Sequence, residues 1–161
     1  MTATIRALRR LIGVLAAAGV AAYGVAALVT VVDVLGRRMG LPVDGVVDLV
    51  QLCVMAGAWM VMPFAFMTGA HVGVDVLVER MPRAPAILLR AAAMAVAVAL
   101  LGLMLAYGYQ TAGMRMMFGD RSQQLGIPIL WYWAPLILGL GVSVLGAVLG
   151  FLSAVRPDTG R

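Results

Sequence analysis

The feature that most constrains this chain is a run of 22 residues, positions 11–32, without a single charge or proline. At about 1.5 Å of rise per residue, such a run spans the roughly 30 Å hydrocarbon core of a bilayer as one helix. Three more uncharged runs follow, so the pattern predicts four membrane-spanning helices over about 11–35, 46–70, 87–111 and 130–155. Of the 161 residues, 63% are apolar and 12% charged, too few polar groups to clothe a soluble domain. The same numbers exclude disorder. The expected fold class is an all-α membrane protein forming a single integral membrane domain, with no soluble domain and no convincing internal repeat.

Between spans two and three, Val74, Leu77, Val78 and Met81 recur at helical spacing, while Asp75, Glu79, Arg80 and Arg83 occupy the other faces. That spacing predicts a short interfacial amphipathic helix. The alternation of Val72, Val74 and Val76 also fits a strand, but a lone strand at a membrane surface would leave its backbone groups unpaired. A basic start with small residues at Ala16, Ala17 and Ala18 is shared with cleaved leader segments, whose apolar cores are shorter, about 7–15 residues. The first run is therefore expected to stay as a span.

All twelve basic residues are Arg, in short clusters between apolar runs. That distribution is expected of membrane orientation and of contact with anionic lipid headgroups, and it provides no basic stripe for nucleic acid. Eight Arg fall on the side of the termini and the middle loop and four in the other two loops, which predicts that both termini are cytoplasmic. Tyr107, Tyr109 and Phe118 leave span three near where Trp131, Tyr132 and Trp133 begin span four, as expected of an interfacial aromatic belt on the outer side.

Candidate chemistry is sparse. Cys53 is the single cysteine and His71 the single histidine, so neither a disulfide nor a bis-histidine haem can be built within the chain, and no cofactor is expected. Met114, Met116 and Met117 offer thioethers suited to Cu(I), yet methionines recur through the spans as adaptable packing, and no metal site is expected. An ionisable residue at mid-membrane would mark an ion path, but Asp33 ends span one, with Arg37 one turn on, and Asp48 opens span two, where the helix dipole favours a carboxylate. Arg90 precedes span three and can snorkel to lipid phosphate. Pro63 interrupts span two, which membrane helices tolerate when neighbours satisfy the freed carbonyl.

The expected interface residues toward a partner or lipid are Asp48, Trp59, His71, Asp75, Arg90, Gly139, Ser143, Gly146 and Gly150. Gly139, Ser143, Gly146 and Gly150 form a seam of small residues that lets another helix approach closely, from a partner or from the chain itself. Ala65 and Gly69 repeat the spacing in span two, and Trp59, too deep for an interfacial belt, should pack inside the bundle or on a partner.

Two stretches carry a family resemblance. Arg37 and Arg38, the Pro42 and Gly45 loop, Asp48, and Gly69-Ala70-His71-Val72-Gly73-Val74-Asp75 together resemble the small, Q-type subunit of tripartite ATP-independent periplasmic (TRAP) transporters. Gly119-Asp120-Arg121-Ser122, then Leu125-Gly126-Ile127-Pro128 and the aromatic run Trp131 to Trp133, is similar to that family's segment between spans three and four. The chain departs from many members in having Gln51 where a second carboxylate is common, and Met67 and Thr68 where basic residues are common.

The resemblance implies a non-catalytic subunit in a bacterial inner membrane. Its partners would be a large multi-span permease that carries the sodium and substrate sites, and a periplasmic binding protein that delivers an organic acid. The rival classes are a membrane anchor of a redox enzyme, which one histidine suits poorly, and a small self-assembling exporter, which would need a membrane-embedded carboxylate.

Overall fold

The computed structural model describes residues 3–68 and 82–155. They form four helices: α1 Ala3–Arg38, α2 Val46–Thr68, α3 Arg83–Met117 and α4 Leu130–Val155. All four are long and apolar enough to cross a membrane. The predicted interfacial helix falls mostly on 69–81, outside the described residues.

α1 and α3 extend beyond their predicted spans at both ends. The uncharged run marks where lipid can surround a helix, but it does not stop one. At 36 residues, α1 is about 54 Å long by helical rise, well over the hydrocarbon thickness, so charged turns such as that of Arg6, Arg9 and Arg10 stay helical beyond the run.

What stops α1 and α3 is a glycine. After α1, Gly40 adopts φ +75°, its N–H reaches the Arg37 carbonyl at 3.2 Å, and the Leu41 N–H reaches the Gly36 carbonyl at 2.8 Å. After α3, Gly119 at φ +67° repeats the pattern, with its N–H on Met116 at 3.0 Å and the Asp120 N–H on Arg115 at 3.1 Å. Both are Schellman terminations, in which a left-handed residue turns the chain back over otherwise unpaired carbonyls. Arg115 strengthens the second through an ion pair with Asp120 at 3.3 Å.

The helices line up in the order α1, α2, α4, α3, each packing mainly on its neighbour in that row. Short turns make antiparallel pairs of α1 with α2 and of α3 with α4. The inner helices α2 and α4 are parallel, since Trp59 meets Gly139 and, further along both helices, Pro63 meets Gly146. The buried core is Phe66 of α2, Leu101 of α3, and Leu140 and Ala147 of α4, with Trp59, Met62 and Met94 against it. In lipid, burial of such residues adds little hydrophobic gain over contact with acyl chains, so close van der Waals packing must hold the row together.

Candidate functional site

Among the described residues two carboxylates are buried, and each ties down a loop at the same end of the bundle. Asp33 sits in the last turns of α1 at 7% exposure. Its Oδ2 accepts from Arg37 Nε at 2.8 Å, the ion pair that one-turn spacing suggested, and its Oδ1 accepts from the Val43 N–H at 3.3 Å. The connection from α1 to α2 is thereby held against the helix it leaves.

Asp48 does the same over a longer distance in sequence. It occupies the first turn of α2 at 3% exposure, and its Oδ2 accepts from the backbone N–H of Gln124 at 2.9 Å and of Leu125 at 2.7 Å. The Ser122 hydroxyl hydrogen-bonds the same carboxylate and itself accepts from the Ile127 N–H at 2.9 Å. Tyr132 Oη donates to the Asp48 backbone carbonyl at 3.0 Å. An acidic side chain is thus surrounded by donors, which is how a buried charge is accommodated.

The loop that Asp48 holds is itself ordered. Between α3 and α4, the Ser122 N–H meets the Ile127 carbonyl at 2.9 Å and the Ile129 N–H meets the Asp120 carbonyl at 3.1 Å, around an antiparallel bridge between Arg121 and Pro128. Arg121 reaches across to the Gly126 carbonyl at 3.2 Å. The Leu125 side chain lies on Gly45, where an added Cβ would collide with it. Loops 39–45 and 119–129 therefore form one continuous surface.

The second constellation is the seam on α4. Gly139, Ser143 and Gly146 are all buried within the chain. A Cβ on Gly139 would strike the Trp59 carbonyl, and one on Gly146 would come within 2.6 Å of the Pro63 carbonyl. The close approach that the seam allows is thus made by α2 of the same chain. Trp59, half-buried, lies on this contact rather than in a belt.

Of the other expected interface residues, Arg90 is the described one, and it is brought to neither place. Arg90 is exposed on α3. His71 and Asp75 lie outside the described residues, and Gly150 continues α4 one turn past Gly146, its surroundings likewise outside them. Sequence reasoning missed Ser122, Gln124, Leu125 and Tyr132 as the partners of Asp48. Three of them fall within the stretches that carry the family resemblance, which was the available signal. Tyr132 was expected among interfacial aromatics, and the structure divides that group: Trp131 is 64% exposed, whereas Tyr132 is 4% exposed with its hydroxyl paired.

Four membrane-length helices in a row, with two exposed apolar outer helices and buried carboxylates that organise loops, define an integral membrane protein. A family model described as tripartite ATP-independent periplasmic transporters, DctQ component, matches residues 26–156, from the middle of α1 through α4. The chain belongs to that family and is a small permease subunit of a TRAP transporter. No curated protein and no solved structure matches it.

Proposed function

We propose that this chain is the non-catalytic scaffold subunit of its transporter, set in a bacterial inner membrane with both termini cytoplasmic. It supports a large multi-span permease that takes up an organic acid with sodium, the acid being delivered by a periplasmic binding protein. The observation that carries this reading is the use made of Asp33 and Asp48. Both carboxylates lie at helix ends and are engaged by loop N–H groups, by Arg37 or by Ser122, which supports a structural role for them. The identity of the cargo and the coupling ion follow from the family resemblance.

Reconstitution tests the proposal. Proteoliposomes holding this chain alone should show no uptake of organic acid above empty vesicles. A tagged copy drawn from its native membrane in mild detergent should bring a large permease with it, and uptake by that permease should need this chain. Saturable uptake by the chain alone would overturn the scaffold reading, and recovery with a flavin or iron–sulfur subunit would move the protein to a redox complex.

A further inference from the structure

The first turns of α1 concentrate positive charge on one exposed face. Arg6 and Arg10 are four residues apart, so they stand one above the other, and Arg9 adds a third charge to the same turn. All three are exposed, and the helix runs through them without a break. No Asp or Glu precedes Asp33, so this part of α1 offers them no carboxylate. Three arginines at the other end of the bundle are placed differently. Arg37 is taken up by Asp33 at 2.8 Å, Arg115 by Asp120 at 3.3 Å, and Arg121 by the Gly126 carbonyl at 3.2 Å.

Depth decides what can meet the Arg6 and Arg10 face. Leu11 begins the uncharged run and is 49% exposed, and Val14, one turn after Arg10 on the same side of the helix, is 67% exposed. The hydrocarbon therefore begins next to Arg10. From Arg10 back to Arg6 the helix rises about 6 Å, close to the roughly 5–7 Å of headgroup layer on each side of a bilayer core. Two guanidiniums stacked through that layer face phosphate, and the apolar surface one turn further on faces acyl chain.

We propose that this face of α1 is a binding site for an anionic phospholipid, with Arg6 and Arg10 on its headgroup and the surface around Val14 against its chain. Guanidiniums donate in pairs to phosphate oxygens. A zwitterionic headgroup carries its own cation, which the arginines repel, so an anionic one is preferred. The site is independent of the scaffold role proposed above.

A fluorophore at residue 14 reads the preference. The full chain, with Cys53 replaced by serine and V14C labelled with bimane, is placed in phosphatidylcholine nanodiscs that also contain phosphatidylcholine or phosphatidylglycerol with brominated, quenching acyl chains. Both leaflets have one composition, so the orientation of the chain does not enter. Brominated phosphatidylglycerol should quench at about fivefold lower mole fraction than brominated phosphatidylcholine, the factor that the attraction of one arginine to an anionic surface supplies. R6Q/R10Q should bring the two curves together. No preference at residue 14, or one that survives R6Q/R10Q, overturns the site. An equal preference read at V34C, on the exposed far end of α1, also overturns it, because it traces the effect to the net charge of +5 on the whole chain.

Discussion

At the scale of single residues, Asp48 does more than its position suggests. A carboxylate in the first turn of a helix ordinarily faces its own helix N-terminus, and the sequence suggests that role or a place at an interface. Here it receives N–H groups 76 and 77 residues away. No local pattern announces such a partner, because the loop N–H groups that bind it belong to the backbone and carry no residue-type signal. The two side chains of the site differ in what they lose on substitution. D48A leaves the Gln124 and Leu125 N–H groups without their acceptor, and the loop should open. D48N keeps an oxygen for those N–H groups, and the Ser122 hydroxyl can turn to accept from the new amide. Trypsin cleavage after Arg121 is the measurement: about tenfold faster in D48A, and close to native in D48N, since cleavage follows the population of the open loop. Y132F removes one buried hydrogen bond and should cost about 1 kcal/mol of stability, read as a lower thermal midpoint with the fold intact.

At the scale of elements, the four helices were legible because lipid imposes a simple demand, an uncharged run of sufficient length. Their true ends were not, since α1 and α3 stop where a glycine can turn the chain and not where the apolar run stops. The α4 seam was equally visible, but small residues record only that something comes close and do not name it. The structure answers with α2, and a contrast among glycines of one helix makes the answer testable. A Cβ at Gly139 or Gly146 meets α2 backbone, whereas one at Gly141 meets nothing within 4 Å. G139A and G146A should therefore each destabilise the chain by about 1–3 kcal/mol through forced separation of the helices. G141A should be neutral or slightly stabilising, because alanine favours a helix over glycine by about 1 kcal/mol. The thermal midpoint of the purified chain, with no partner present, reads all three. Equal loss in G141A would mean that helix flexibility, and not the α2–α4 contact, sets the requirement for glycine.

At the scale of the whole molecule, the row α1, α2, α4, α3 leaves both outer helices with extensive apolar exposure, Leu28 at 66% and Leu88 at 72% among them. Such a row exposes two broad apolar sides, as helices surrounded by lipid can. The same arrangement fixes a geometric relation that can be checked in cells. Because Asp48 and Gly45 both touch the 124–125 segment, loops 39–45 and 119–129 must lie on one side of the membrane. In the orientation proposed above from the distribution of Arg, that side faces outward. With Cys53 replaced by serine, a cysteine at exposed Leu41 and one at exposed Gln123 should both react with a membrane-impermeant maleimide in cells whose outer membrane has been made permeable. A cysteine at exposed Arg10, on the far end of α1, should react only after the inner membrane is opened. Labelling of position 10 with protection of 41 and 123 would invert the orientation and leave the fold standing. Labelling of 41 without 123 would break the Asp48 link itself, and with it the order of helices that the link secures.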